Sequence, residues 1–404
     1  MKTSNNQSTE RRVFRFGGNR QSIACSEASG ESARGLAHSK TLARLTSHSR
    51  TSPRFWTAPA LWRSSWVPVL ASLSICFGLL TSTFAAAPAK IRLATLAPKG
   101  SSYAKHLQAM GEKWRQAPGG GVQLTIYPDG TMGTEADMVR RMRLGQLQAA
   151  MVTTSGLIEI EPGTAGLQSM PKVFRTLDEV DYITGKLEPL LEKRLEEKGF
   201  IVLFWSDTGF VRFFSKQPVV TPDDLRKTKL FVAASRPTEV EIYRGVGCHP
   251  VPLEVADILP SLQTGLIDCV CMPPTIALAL QLDSSCPNML DMNWVPLVGA
   301  AIITKKAWDG IPAEAQQALR ESAHEAGKLI KADGRRENVE SVAAMQKRGL
   351  KVHTLTPEVD AEWNKVVATT YPKVRGIAVP PDVFDKVTSE LEAYRAGKTN
   401  APAK

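Results

Sequence analysis

The chain has 404 residues, too long for one small domain and suited to two with additions. Its 43% hydrophobic and 22% charged residues are ordinary for a globular protein. The net charge of +10 is concentrated: up to Trp66, eleven Lys or Arg face three Glu, a +8 that leaves only +2 for the rest, so the globular part is expected to bind no nucleic acid.

Residues 66–80, WVPVLASLSICFGLL, form an uncharged apolar run, shorter than the ~20 residues of a membrane-spanning helix. Arg63 precedes it, and Ala85-Ala86-Ala87 gives an A-x-A cleavage pattern after it. The run reads as a secretory signal peptide, the alternative being an uncleaved anchor. Residues 1–60 are rich in Ser, Arg and Gly and are expected to be disordered. Signal peptides rarely carry so long a preceding region, which suggests a translation start further along. The expectation is a leader over 1–87 and an exported globular part.

That leader takes Cys25 and Cys76 with it, leaving Cys248, Cys269, Cys271 and Cys286. Cys269 and Cys271 alternate on one expected strand and are poorly placed to bridge each other. Either Cys248 or Cys286 bonds one of them, or all four remain buried thiols. No C-x-x-C pair or second nearby His completes a metal site, and neither metal nor cofactor is expected.

The globular part opens with KIRLATLAP (90–98), a strand ending in a turn, and a helix carrying Tyr103, Leu107, Met110 and Trp114 on one face. A strand with alternating Val122, Leu124 and Ile126 follows, then a helix closed by Gly145, then the strand LQAAMVTTSG. This β-α-β-α-β rhythm predicts a mainly parallel sheet covered by helices. Residues 169–199 continue as helix, and FIVLFWSDTGFVRFFSK as one or two strands.

TPDDLRKTKLFVAASRP (221–237) begins a second series. Thr221, Pro222 and two acids make a helix start, and Leu230 to Ala234 a strand with Phe231 near its middle. TEVEIYRGVG reads as a helix, HPVPLEVADILPSLQTG as a turn and helix, and LIDCVCMPP as a strand. One long amphipathic helix runs from Pro312 to Gly349, with Leu319, Ile330, Val339 and Val342 as core candidates, and its length suits it to span two domains. The strand LKVHTL and helices around 357–370 and 380–396 end the chain.

Catalytic motifs are lacking. His324-Glu325 has no His at H-E-x-x-H spacing, Cys248-His249 are neighbours in a turn with no flanking signature, and no G-x-S-x-G or P-loop occurs. The chain is therefore not expected to be an enzyme, a Cys248-dependent one being the remote alternative.

Three segments together resemble the substrate-binding proteins of TRAP transporters, the DctP type. They are IYPDGTMGTEADMVRRMRLGQLQAAM (126–151), GFVRFFSKQPVVTPDDLRKTKLFV (209–232) and VPLEVADILPSLQTGLIDCVCMPP (251–274), in the family's order. The likeness covers residues 89 to 395. It implies an α/β, two-domain periplasmic binding protein fold with mixed sheets, hinge strands and a long domain-spanning helix. Residues 88–210 and 298–337 would form domain I, 211–297 and 338–396 domain II, and 397–404 a tail. The implied function is capture of a small organic ligand between the domains, by a monomer, for delivery to TRAP permease membrane subunits. A receptor serving a sensor or another transporter class is the alternative.

The family's usual ligand arginine falls, in this chain, on Phe231. Arg212 matches a second family arginine, and Met272, after Cys271, stands at an asparagine position. A guanidinium pairs two parallel donors with a carboxylate, so its replacement points to a ligand whose recognised part is apolar or aromatic, or to a monocarboxylate touched by Arg212. Other readings keep Arg236 as a displaced clamp or make Phe231 plain core. Trp205 and Trp294 are candidate aromatic walls.

Overall fold

The structure, a computed structural model, describes residues 89–119 and 121–399; the leader, the apolar run and the cleavage pattern lie outside them. Two mixed sheets organise these residues. The first has the order β2-β1-β3-β10-β4, from β1 (Ala89–Thr95), β2 (Val122–Tyr127), β3 (Ala149–Thr153), β4 (Phe200–Phe210) and β10 (Pro296–Thr304). β1 runs parallel to β2 and β3, as the helical connections dictate, and β10 lies antiparallel between β3 and β4.

The second sheet has the order β11-β9-β5-β8-β6-β7. Its strands are β5 (Arg212–Ser215), β6 (Lys229–Ala233), β7 (His249–Leu253), β8 (Cys269–Met272), β9 (Asn288–Asp291) and β11 (Lys351–Thr354). β6 pairs parallel with β7 and β8, while β5 pairs antiparallel with β8 and β9. The chain passes from the first sheet to the second between β4 and β5 and returns between β9 and β10. Val211 N–H donates to the Val295 carbonyl at 3.0 Å where these two passages meet.

Several elements differ from the sequence expectation. β9 and β10 were not foreseen. β10, PLVGAAIIT, lacks alternation because it is buried on both faces in the middle of its sheet. HPVPL, expected as a turn, is β7; its prolines are tolerated because the strand lies at the sheet edge. The helix expected from 169 starts at Leu177, where Thr176 accepts from Glu179 N–H. The Thr221 start is as the residues dictate: Thr221 and Asp224 form a reciprocal capping box with Pro222 at the first turn.

The long helix is Ala313–Lys347. Its first half packs on the first sheet so closely that a Cβ on Gly327 would lie 2.6 Å from the Phe204 Cβ. Trp114 on the helix Ser102–Arg115 donates Nε1–H to the Leu319 carbonyl at 3.3 Å. Its last turns reach the second sheet, where Met345 joins Ile258, Leu262 and Met289 in a core. Leu319 and Ile330 are buried and Val342 is half-buried, but Val339 is 72% exposed. Asn338 takes the inward position beside it and donates to the Phe210 carbonyl at 3.2 Å.

Pro357–Lys373 packs its Trp363 among Val211, Phe213 and Trp294. The C-terminal helix Pro381–Thr399 turns back onto Leu177–Glu197, burying Val383, Val387 and Leu391 against Ile183 and Leu187. Each such fully buried aliphatic side chain contributes about 1.5–3 kcal/mol. Among the described residues no helix is long and apolar enough to cross a membrane. Cys248, Cys269, Cys271 and Cys286 are all free thiols, so of the two possibilities left open above the structure takes the unbonded one.

Candidate functional site

A cavity of about 1320 Å³ lies between the two sheets. Both sheets present the carboxyl ends of parallel strands to it: Thr95 of β1 and Thr153 of β3 on one side, Ala233 of β6 and Met272 of β8 on the other. Such strand ends are where α/β sheets usually take ligands, because the chain departs there and leaves backbone and side chains free. The long helix supplies Ile330 and Glu337 to the same wall.

The second sheet's wall is apolar. Phe231, Met272 and Cys271 all line the cavity, and Phe231 and Met272 also belong to one buried cluster with Ile258 and Val270. Phe231 thus both lines the cavity and packs in the core. Burial pushes the Cys271 thiol far up, with Glu239 adding to it, so this group is neutral. Trp294 lines the cavity too, held by an Nε1–H bond to the Tyr243 hydroxyl at 2.9 Å and by edge contacts with Phe213 and Trp363.

Arg236 also lines the cavity, at the start of the helix Pro237–Gly245, but its guanidinium is committed. Nη1 donates to Glu239 Oε1 at 2.6 Å, and Nε donates to Ser155 Oγ at 2.9 Å. Ser155 follows β3 of the first sheet, so this bond crosses the cleft. Burial alone would lower the Arg236 pKa, but Glu239 outweighs it and the balance is upward. Arg226, the other cation in the lining, pairs with Asp223 and donates Nε–H to the Val246 carbonyl at 2.8 Å.

Glu135 is buried and also lines the cavity, and it accepts from Thr153 N–H at 2.8 Å, Thr153 Oγ1–H at 2.7 Å and Gly156 N–H at 2.9 Å. Burial raises its pKa against those bonds. Its oxygens are spent on the turn after β3, and it reads as a structural brace.

Two expected side chains are elsewhere. Trp205 donates Nε1–H to Glu192 at 3.0 Å and does not line the cavity, which the next three residues of β4, Ser206, Asp207 and Thr208, reach instead. Arg212 lines a second cavity, of about 910 Å³, with Lys172 and Arg175. Its Nε donates to Asp291 Oδ1 on the neighbouring β9 at 3.1 Å, the counter-charge that a buried guanidinium requires. Val211, one residue earlier, takes the place in the main cavity.

Sequence reasoning missed Val211, Ser155, Glu239, Tyr103, Ser206 and Thr208, all of which line the main cavity. Tyr103 was read as a helix-face core residue. Ser206 and Thr208 did carry a signal: polar residues two apart in the otherwise apolar strand FIVLFWSDTGF.

Comparison with known proteins follows this geometry. The sequence model of the DctP family, bacterial extracellular solute-binding protein family 7, matches residues 93–376. The C4-dicarboxylate-binding periplasmic protein DctP of Rhodobacter capsulatus is 25% identical over 281 residues, which is 68% of this chain and 81% of that protein. The 2,3-diketo-L-gulonate-binding periplasmic protein YiaO of Escherichia coli is 28% identical over 240 residues, 58% of this chain and 72% of that one. Among solved structures, a TRAP periplasmic solute-binding protein of Chromohalobacter salexigens with bound D-glucuronate superposes with a TM-score of 0.68 at 22% identity, covering 75% of this chain and 99% of that one. One from Desulfovibrio desulfuricans with bound sn-glycerol-3-phosphate gives 0.70 at 19%, covering 78% and 99%.

Proposed function

Because the chain belongs to family 7 of the bacterial extracellular solute-binding proteins, the DctP family, a family of binding proteins and not of enzymes, we propose that it is the periplasmic receptor of a TRAP-type transporter for a ligand with an apolar or aromatic body. A neutral molecule and a monocarboxylate both fit that description. The receptor takes one solute into the cavity between its sheets, closes on it as a monomer, and hands it to the transporter's membrane subunits. The relatives named above carry anionic solutes in their names, so the proposal is a departure from them.

The observation that supports it is the engagement of both cavity arginines within the protein, beside a wall of Phe231, Met272 and Val211. Each carboxylate entering this cavity would lose its water and gain no free cation, at a cost of several kcal/mol by order of magnitude, which the apolar body of a monocarboxylate offsets and a dicarboxylate or hydroxylated sugar acid does not. An apolar body gains about 25 cal/mol for each Å² it buries. In the proposed division into domains, each sheet with its helices is one unit, 88–210 with 298–337 and 211–297 with 338–396; the helix Pro381–Thr399, which those bounds put in the second, packs against Leu177–Glu197 of the first.

Thermal-shift and calorimetric titration with succinate, glucuronate, aliphatic and aromatic monocarboxylates, and neutral aromatics tests this. The last groups are expected to bind. Tight succinate or glucuronate binding that survives Phe231→Ala and disappears with Arg236→Ala would make Arg236 an ordinary clamp and overturn the proposal.

A further inference from the structure

Eight large apolar side chains are exposed among the described residues, and three of them, Leu96, Val255 and Ile276, line the main cavity. Single exposed aliphatic residues are ordinary, but an exposed set continuous with an apolar cavity marks a surface that something covers. This set comes from both sides of the cleft. Leu96 directly follows β1 of the first sheet, while Val255 follows β7 and Ile276 follows β8 of the second.

The second sheet's side is a graded strip. Val255 opens one turn of 3-10 helix, Val255–Asp257, that runs straight into the helix Ile258–Thr264, so Leu259 comes round to the same side. Ile276 and Leu280 repeat the spacing around the helix Pro274–Ala279, where Leu280 N–H donates to the Ile276 carbonyl at 2.9 Å. Leu259 and Leu280 are half-buried and pack on the cluster that contains Phe231 and Met272, and all six residues line the cavity. Exposure rises outward along the strip, from 8% at Phe231 and 6% at Met272 to 39% at Ile276 and 53% at Val255.

Size and charge point the same way. Cavities for drug-sized ligands run to about 300–1,000 Å³. This one holds about 1320 Å³ although the Arg236–Ser155 bond already ties its two sides together. Its interior offers a charged group no free counter-ion. Arg226 and Arg236 are engaged as described, and Asp207 of the lining accepts from Arg335 Nε at 2.8 Å and Nη2 at 2.7 Å. Arg335 and Lys331 are shared between Asp207 and Asp181, which leaves neither cation for a ligand. A polar group on the ligand is best hydrated at the mouth, where Asp129 and Glu254 of the lining are exposed along with the three aliphatic side chains.

We propose that the cargo is an elongated amphiphile, an alkyl chain or fused-ring body longer than a phenylpropyl group with a single polar group at one end. The body runs from Phe231 and Met272 along Leu259 and Leu280 to Val255, Ile276 and Leu96, and the polar group stays at the mouth in water. This rests on the reading of the cavity as an apolar-solute site and adds the length of the solute and the direction in which it lies.

Calorimetric titration of the purified protein tests this, with phenylpropyl compounds as the short reference and n-alkyl compounds of increasing length. Each ends in a hydroxyl or a carboxylate and is used below its aggregation concentration. Affinity is expected to rise about threefold for each added methylene, from about six to about twelve carbons, as each buries against the strip. A plateau at the length of the phenylpropyl compounds would overturn the long body and leave the apolar-solute reading intact. Sugar acids binding while no compound of either set does would overturn both. Val255→Ser combined with Ile276→Ser, and Leu96→Ser from the opposite side, are each expected to weaken the longest compound about tenfold and leave the phenylpropyl compounds unchanged. These side chains are exposed, so the melting temperature of the free protein should not fall. Equal weakening of short and long compounds would sink the proposal, because the rim would then seal the closed cleft. No change for either would sink it too, with the apolar rim left to the transporter's membrane subunits.

Discussion

Val211 and Arg212 are neighbours in the chain and belong to two different cavities. Val211 joins the apolar wall between the sheets; Arg212 turns to Asp291 and lines the smaller, charged cavity with Lys172 and Arg175. The difference teaches how, on the proposed reading, a cleft keeps arginines in its lining and yet offers none of them to an anion. A guanidinium that pairs with a carboxylate of its own protein keeps its charge and its burial and is withdrawn from the ligand. Arg236 shows the same logic inside the main cavity, where Glu239 and Ser155 take its donors. What distinguishes the two cavities is therefore the wall, apolar in one and charged in the other, since Arg212 in the smaller and Arg236 in the larger are both paired within the protein.

The strongest way to break this contrast is to put an unpaired cation into the apolar wall. Phe231→Arg is expected to destabilise the free protein by about 3 kcal/mol, since the new guanidinium is buried without a partner. Succinate or glucuronate should then raise the melting temperature of the variant and leave the parent unmoved. Loss of stability with no rescue by either anion would show that Glu239 or Glu135 captures the new charge, and that the wall does not decide the ligand's charge.

A smaller effect is expected at the bond that crosses the cleft. Arg236→Ala removes the contact with Ser155 and leaves Glu239 partly buried alone, a loss of roughly 2 kcal/mol. Ser155→Ala removes only the crossing and should cost less. Small-angle scattering of the ligand-free protein should show a wider cleft in both variants. An unchanged radius of gyration would mean that the crossing bond follows closure and does not help to hold it.

The capped helix and the strand with Phe231 at its middle were legible in the sequence because local chemistry fixes them. A capping threonine, a first-turn proline and two acids leave little alternative. The strands with one covered sequence neighbour and a clear period were legible too. β10 was not, since a strand buried on both faces carries no period, and β7 was hidden by its two prolines. In the site, Phe231, Met272 and Trp294 could be anticipated as apolar residues on or beside strands of the second series. The side chain directions of Trp205 and Arg212 could not, because they depend on Glu192 and Asp291, partners 13 and 79 residues away. Tyr103 looked like a core residue for the same reason: its surroundings are made by Gly334 and Glu337 of a helix more than two hundred residues later.

The pairing that withdraws Arg335 and Lys331 should be visible in acid. Burial pushes the Asp181 pKa up, but the bonds from Arg335 and Lys331 outweigh it and hold the carboxyl below its usual value. Its stabilising contribution is thus complete above the unfolded-state value of about 3.9 and is lost as pH falls through the lower folded-state value. Asp181 is 41% exposed at its side chain, so solvent screening limits the contribution to about 1 kcal/mol. Asp181→Asn should flatten the acid limb of the melting temperature below pH 4. A limb of unchanged steepness would place the acid sensitivity in other carboxylates and free one of the two cations in the account given above.

The smallest effect is expected at Arg212, and it tests whether the two cavities are separate. Arg212→Met keeps the stem's packing and removes the charge. Asp291, 48% exposed, can then be hydrated where it stands, so the stability change should stay below about 1 kcal/mol. Affinity for whichever phenylpropyl compound binds best should be unaltered, because the guanidinium contributes nothing to the wall in which Val211 stands. A tenfold or larger loss of affinity would mean that Arg212 reaches the ligand when the cleft closes. In that case Asp291 is a resting partner that the ligand displaces, and the charged cavity is the arginine's waiting position.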